Sequence, residues 1–127
     1  MTGEADRGRF VWFDLMTSDS SGAIDFYSKL VGWGTQQFEG SDTPYTMWAN
    51  GENPLGGVVE LSAEAREGGA PPHWLSYVAV PDVDAALARA QELGGSVLHP
   101  ATDIPTVGRF AVIQDPQGAS LALFKDA

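Results

Sequence analysis

Asp19–Gly32, DSSGAIDFYSKLVG, is the first of two stretches that decide the fold of this chain; the second is Asp82–Gly95, DVDAALARAQELGG. Each stretch begins with an aspartate and ends with a glycine 13 residues later, and the two lie 63 positions apart. A pattern that recurs at a fixed separation indicates a duplicated structural unit, and it is stronger evidence for the fold than any local motif.

Both stretches have the features of an amphipathic helix. In the first, Ala23, Tyr27 and Leu30 follow the spacing of one helical face. Asp19 stands where its carboxylate can accept a hydrogen bond from an unpaired first-turn N–H. Gly32 stands where a helix commonly ends in the left-handed conformation. The second stretch repeats this design, so we predict a helix in each copy.

Runs of branched and aromatic residues before and after the helices predict strands. The expected strands lie near residues 10–16, 33–39, 45–49, 58–61, 74–80, 96–99, 109–113 and 120–124. Asn53–Gly57, NPLGG, has an echo in Asp115–Ala119, DPQGA, 62 positions later, and both motifs predict turns. Each copy is therefore predicted as a strand, a helix and three strands.

The two copies are expected to share one folded domain over residues 9–126. The first module covers about 9–62, an exposed Gly- and Pro-rich linker covers 63–72, and the second module covers about 73–126. A module of about 55 residues buries too little surface to be stable alone. The polar residues 1–8 are expected to be disordered.

Composition narrows the classes of function. The 127 residues carry a net charge of −10, which disfavours nucleic acid as a partner and permits attraction of cationic ligands. The chain has no cysteine, which excludes disulfides and thiolate chemistry. It shows no signal-peptide pattern and no apolar run of membrane-spanning length, so we expect a cytoplasmic protein that does not bind membranes.

The tandem arrangement resembles the vicinal oxygen chelate superfamily, which includes glyoxalase I, extradiol dioxygenases, and the fosfomycin- and bleomycin-resistance proteins. Ala23–Tyr27 followed by Val31–Trp33 resembles the first-helix signature of that family, and Asp115–Gly118 resembles its last-hairpin signature. The resemblance implies an α+β fold. Its tandem βαβββ modules form curled mixed or antiparallel sheets, with a helix on the outer side of each.

The resemblance also implies where a metal would bind, on the trough that each curled sheet forms. The four family positions, counted from the helix starts and the hairpin motifs, fall on Trp12, Glu60, Leu75 and Ala122. Only Glu60 has a side chain that can ligate a metal. The sequence therefore predicts no metal and no other cofactor.

A displaced metal site is an alternative, because strand side chains alternate and a shift of two residues keeps the face. Such a shift would bring Asp14 and His73 together with Glu60. Two orientations of the Glu60 side chain are possible, because alternation along the strand places it either toward solvent or inside the trough.

The trough is also the expected ligand site, with Trp12 as the aromatic surface that stacks a planar or cationic ligand. Asp14 and Glu60 are the candidate polar anchors. Arg109, alone in an apolar strand, is expected to pair with an internal acid or to contact an anionic group of the ligand. The full set of candidate ligand contacts is Trp12, Asp14, Glu60, Trp48, Leu75, Arg109 and Ala122.

Two classes of function remain. The first is a metal-independent protein that binds a small, aromatic or cationic molecule, as bleomycin-resistance proteins do. The alternative is an enzyme of the glyoxalase, lyase or dioxygenase type with a displaced metal site, or an acid–base enzyme that uses Asp14 or Glu60. In either case we expect a homodimer, because unprotected sheet edges favour pairing between chains.

Overall fold

The computed structural model describes residues 6–38 and 45–127, which fall into two compact units. One unit comprises Phe13–Leu75, and the other joins the N-terminal residues up to Trp12 to Ser76–Ala127. Both boundaries lie within a strand, the first strand of each predicted module. Each unit therefore contains most of one module and a short segment that belongs to the other.

The predicted order of elements is confirmed, with a strand, a helix and three strands in each module. The elements are β1 (Phe10–Thr17), α1 (Ser20–Val31), β2 (Gly34–Phe38), β3 (Tyr45–Asn50), β4 (Asn53–Glu60), α2 (Ala63–Glu67), β5 (His73–Ala79), α3 (Val83–Glu92), β6 (Ser96–Ile104), β7 (Gly108–Gln114) and β8 (Ser120–Asp126). The fold class is α+β, as expected. The predicted linker contains the short helix α2.

The helix ends follow the sequence closely. The Asp19 carboxylate accepts a hydrogen bond from the Gly22 N–H at 3.0 Å, and Asp82 accepts one from the Ala85 N–H at 3.0 Å. Gly32 adopts the left-handed conformation, with φ 84°. At the end of α3 the left-handed residue is Gly94, with φ 95°, rather than the expected Gly95.

In the unit Phe13–Leu75, the strands are ordered β2-β3-β4-β1, with β1 parallel to β4 and the other pairs antiparallel. The core lies between this sheet and α1. Leu15, Trp48 and Val58 are buried there, and the partly buried residues packed against them include Ile24 and Tyr27 from α1. One face of the sheet is therefore covered by the helix.

The other unit has the corresponding order β5-β8-β7-β6, with β5 parallel to β8. α3 packs on β6, β7 and β8, and Val83 at the start of this helix is buried. The Gly8 N–H donates to the Ala79 carbonyl at 2.9 Å, and the Ala79 N–H donates to the Arg9 carbonyl at 2.8 Å. Gly8, which we expected to be disordered, is therefore hydrogen-bonded to β5, while residues 1–5 lie outside the described residues.

The two hairpin motifs do not occupy equivalent places, which corrects the sequence reading. Asp115–Ala119 forms the turn between β7 and β8, and the Asp115 side chain accepts hydrogen bonds from two backbone N–H groups of this turn. Asn53–Gly57 instead lies within β4, and the preceding turn contains Gly51. A register shift between Trp48 and Ala49 lies opposite this segment. A bulge of this kind is where a strand tolerates proline, here Pro54.

None of the helices among the described residues is long and apolar enough to span a membrane.

Candidate functional site

The strand pairing in the unit Phe13–Leu75 sorts side chains onto two faces. Leu15 pairs with Val58, and both face α1. Asp14 pairs with Gly57, which in turn pairs with Met47, and alternation places these three residues on the opposite face. This opposite face is named the Asp14 face below.

The Asp14 face carries a buried acid bound to a phenol. Asp14 is 6% exposed, and the Tyr45 hydroxyl donates to its Oδ1 at 2.6 Å. A buried carboxylate is stable only when hydrogen bonds replace its lost hydration. Tyr45 supplies such a bond and fixes the orientation of the carboxylate.

Gly57 makes this contact possible. A Cβ at Gly57 would overlap the hydroxyl and the ring of Tyr45. Only glycine leaves room for the phenol to pass over β4 and reach Asp14 on β1. Tyr45, Gly57 and Asp14 therefore lie on three neighbouring strands and form one arrangement.

The side chains around this pair are half-buried and mostly apolar. They are Met16, Gln36, Phe38, Met47 and Val59. The Phe38 ring meets the Tyr45 ring edge to face, with centroids 6.3 Å apart. Methionine is flexible and polarisable and makes favourable contacts with aromatic rings. The Asp14 face thus combines one oriented carboxylate with a soft, adaptable apolar surface.

Glu60 lies elsewhere. Its register partner is Thr17, which places it on the face that packs against α1. Its Oε1 accepts hydrogen bonds from the Ser20 N–H at 2.9 Å and from the Ser20 hydroxyl at 2.6 Å. These bonds lower the pKa of Glu60 below its ordinary value. The structure does not bring Glu60 to Asp14, so the expectation of two carboxylates in one trough is wrong.

The pairing of strands explains the error. Ala122 pairs with Tyr77 in the second module as Gly57 pairs with Asp14 in the first. The counterpart of Ala122 is therefore Gly57, although counting from the hairpin motifs gave Glu60. The motif count fails because one motif forms a turn and the other lies inside a strand.

Two further candidates have structural roles. Trp48 is 1% exposed and belongs to the core under α1, so the expectation that it contacts a ligand is corrected. Arg109 donates to both oxygens of Asp84 at 3.0 Å and to Asp103 at 2.9 Å. These two acids raise the pKa of Arg109. The expected pairing with an acid is confirmed, but both acids are exposed at the surface and not internal.

The remaining candidates are apolar or partly buried. Trp12 is half-buried in β1, Leu75 is buried in β5, and Ala122 is fully buried in β8. None of the three side chains can ligate a metal, and neither can Gly57. The metal site that the family resemblance implies therefore does not fit these residues.

The displaced metal set is not assembled either. His73 is exposed, and its Nδ1–H donates to the Pro71 carbonyl at 2.8 Å. Glu60 faces α1, whereas Asp14 faces the other way. Within residues 6–38 and 45–127, no group of three or more His, Asp or Glu side chains is placed to hold a metal ion.

Sequence reasoning missed Tyr45. Its position at the start of β3 gives no pattern that links it to Asp14, 31 residues earlier. The one available signal was the Gly56–Gly57 pair before the apolar Val58 and Val59, because glycine within a strand indicates close approach by another group.

Comparison with known proteins gives a family and a fold. Residues 9–123 match the model of the Glyoxalase/Bleomycin resistance protein/Dioxygenase superfamily. CFP32 of Mycobacterium tuberculosis, whose name assigns it provisionally to the glyoxylases, is 37% identical over 123 residues, which are 96% of this chain and 46% of CFP32. The anthracycline biosynthesis protein DnrV of Streptomyces peucetius is 35% identical over 116 residues, which are 91% of this chain and 41% of DnrV.

The chain thus spans about half the length of the curated relatives it matches. Among solved structures, the methylmalonyl-CoA epimerase from Mycobacterium tuberculosis is similar, with a TM-score of 0.60 at 18% identity. That match covers 94% of this chain and 88% of the epimerase. At this identity the likeness concerns the fold.

Proposed function

The chain belongs to the Glyoxalase/Bleomycin resistance protein/Dioxygenase superfamily, and we propose that within it this protein binds a small molecule on the Asp14 face without a metal ion. The observation that carries the proposal is the Asp14–Tyr45 pair. A buried carboxylate held by a 2.6 Å hydrogen bond is an oriented anchor in a mostly apolar surface. Binding sites for small molecules typically combine apolar walls with a few placed polar groups.

The proposed ligand is a planar aromatic molecule that carries a cationic group. Met16, Met47 and Phe38 supply soft apolar surface for the rings, and Asp14 supplies a partner for the cation. The net charge of −10 accelerates the approach of a cation. The names of DnrV and of the Streptomyces protein DauV, which is 30% identical, place both in anthracycline biosynthesis, and anthracyclines are fused-ring aromatic compounds.

We propose that binding needs no metal because of the side chains at the positions where the family resemblance implies one. Trp12, Leu75 and Ala122 have no lone pair for a metal, and the Glu60 carboxylate is engaged by Ser20. Recognition therefore depends on stacking, shape and hydrogen bonding.

The test compares an anthracycline that carries an amino sugar with its uncharged aglycone, by titration calorimetry. We expect Asp14→Asn to weaken binding of the cationic compound about tenfold or more, because a hydrogen bond to a charged group contributes about 1.5–3 kcal/mol. The aglycone is expected to bind both proteins similarly. Glu60→Gln is the matched control, because it alters a carboxylate on the opposite face. Unchanged affinity in Asp14→Asn, or a loss in Glu60→Gln, contradicts the proposal.

An acid–base enzyme is the second candidate, and the short Tyr45–Asp14 bond is the observation that favours it. In such an enzyme the Asp14 carboxylate would accept a proton from the substrate while the Tyr45 phenol donates one. Tyr45→Phe would then abolish turnover while leaving ligand affinity within a few fold. A pure binding protein would show no turnover to lose.

We also propose that two copies of the chain pair through α1. Phe26 and Leu30, one turn apart, are 58% and 67% exposed, and Val31 and Trp74 are also exposed. The two charged residues of α1, Asp25 and Lys29, pair with each other at 3.0 Å. In a two-fold interface a patch meets its own copy, so a patch with balanced charge suits self-association. This patch is named the α1 patch.

A further inference from the structure

The second module carries a row of three aromatic rings on its sheet. The His99 ring stacks on the Phe110 ring, with centroids 5.0 Å apart and planes 10° apart. The Phe110 and Tyr77 rings lie with their centroids 6.3 Å apart and their planes tilted by 45°. The three rings come from β6, β7 and β5, and the Phe110 ring lies between the other two.

Strand pairing places this row on the face opposite α3. His99 pairs with Val112, which pairs with Ala122, which pairs with Tyr77, so these residues share one face. The other face carries Ile113 and Leu123, which line a groove of about 600 Å³ together with residues of α3. The aromatic row therefore is not part of the packing under the helix.

β6 is irregular on both sides of His99. Its register against β7 shifts between Val97 and His99 and again between His99 and Thr102. Bulges re-aim side chains and are frequent beside functional sites. Here the second shift brings Thr102 within hydrogen-bonding distance of the imidazole.

The hydrogen bonds around His99 determine which ring nitrogen carries the proton. The Thr102 hydroxyl donates its single hydrogen to the Pro100 carbonyl at 2.9 Å, because a carbonyl can only accept. The same hydroxyl oxygen lies 3.2 Å from His99 Nε2 and must accept there. Neutral His99 therefore carries its proton on Nε2, and its Nδ1 presents a lone pair.

We propose that His99, Phe110 and Tyr77 form a second binding platform, for a planar aromatic compound that bears a hydroxyl or N–H group at its edge. Phe110 provides the stacking surface, the tilted Tyr77 ring flanks it, and Nδ1 of His99 accepts the hydrogen bond. A donor in the plane of the imidazole also lies parallel to the Phe110 ring, so stacking and hydrogen bonding select the same orientation of the compound. The proposal does not depend on the Asp14 face.

The test uses the uncharged pair 2-naphthol and 2-methoxynaphthalene, which differ in the ability to donate a hydrogen bond. We expect the full chain to bind 2-naphthol about twofold to tenfold more tightly, the range of one neutral hydrogen bond. His99→Phe keeps the stacking surface and is expected to bind both compounds equally. Thr102→Val should reduce the preference, because it releases the bond that fixes the imidazole. His73→Phe, in the other unit, is the control.

Nitrogen NMR of the imidazoles gives a readout without mutation, because the chain has two histidines. We expect His99 to show a proton on Nε2 in the free protein, and its Nδ1 signal to move when 2-naphthol is added. A proton on Nδ1, equal affinity for the two compounds, or a preference that survives in His99→Phe would overturn the proposal. So would the absence of binding by both compounds up to their solubility limits. Failure of these probes leaves the test of Asp14 with cationic compounds unaffected.

Discussion

Ser20 donates both its backbone N–H and its hydroxyl to one oxygen of Glu60, at 2.9 and 2.6 Å. The two bonds join the first residue of α1 to the last residue of β4, 40 positions apart. An ionised carboxylate at a helix N-terminus accepts orphan donors and interacts favourably with the helix dipole. Glu60 is therefore a stabilising residue of the first module.

This contact predicts a specific acid sensitivity. Hydrogen bonding by Ser20 lowers the pKa of Glu60 from its ordinary value of 4.5. The stability that Glu60 contributes is therefore complete above pH 4.5. That contribution is lost as pH falls through the lowered pKa of the folded state. We expect the free energy of unfolding to decline less steeply below pH 5 in Glu60→Gln than in the natural chain. Urea titrations at several pH values measure the slopes, and Ser20→Ala should reproduce the effect. Parallel slopes in all three proteins contradict the prediction.

A glycine series tests the geometry of the Asp14 face. At Gly57 a new Cβ meets the far end of the Tyr45 side chain, which can move aside. We expect Gly57→Ala to reduce stability by about 1–3 kcal/mol and to separate Tyr45 from Asp14. At Gly56 the Cβ meets the backbone carbonyl of Phe13, which cannot move independently, so Gly56→Ala should be more destabilising.

Gly34 is the control for this series, because a Cβ there meets nothing within 4 Å. Urea denaturation of the three alanine variants gives the order of stability, and titration with the cationic anthracycline gives affinity. Loss of affinity in Gly57→Ala but not in Gly34→Ala is the expected result. Equal affinities in these two variants would contradict the role assigned to Tyr45.

The sequence predicted what depends on local pattern. Asp19 caps α1 and Gly32 ends it, because a cap needs only a suitable residue at the right position. The repeat of strands and helices followed from spacing for the same reason. The Asp14–Tyr45 pair did not, because a contact between strands depends on register and on the empty space over Gly57. Glu60 was misplaced because NPLGG and DPQGA look alike but lie in a strand and in a turn.

The aromatic cluster under α1 is expected to dominate the stability of the first module. The rings of Tyr27, Trp33, Trp48 and Trp74 all lie within 6.3 Å of one another, centroid to centroid. Trp48 is the buried member, and Trp48→Ala should reduce the free energy of unfolding by about 3–5 kcal/mol. Trp74→Ala, at the exposed edge, should reduce it by less. Chemical denaturation measures both, and equal losses would contradict this ranking.

The metal content of the purified protein directly tests the proposal that binding needs no metal ion. Because Trp12, Leu75 and Ala122 offer no ligand atoms, we expect the purified protein to contain no stoichiometric Zn, Ni, Mn or Fe. Chelators should leave the melting temperature unchanged. Elemental analysis and thermal melts with and without a chelator provide the measurement. Tight stoichiometric metal, lost in Asp14→Ala or His73→Ala, would instead favour the displaced-site enzyme.

Pairing through the α1 patch predicts an unusual dependence on salt. Two chains of charge −10 repel each other, and added salt screens this repulsion, so the dimer should strengthen between low and physiological ionic strength. The patch itself has no net charge, because Asp25 and Lys29 balance, and it contributes little to the salt effect. Phe26→Ser combined with Leu30→Ser should shift the protein to monomers, because both side chains are mostly exposed in the single chain. Their loss should leave the melting temperature of the monomer within a few degrees of that of the unsubstituted chain.

Leu93→Ser, at a similarly exposed leucine just after α3, is the matched control and should leave the dimer intact. Sedimentation velocity at two salt concentrations measures the association. A dimer that survives the double substitution would place the interface elsewhere, and a monomer under all conditions would exclude self-association.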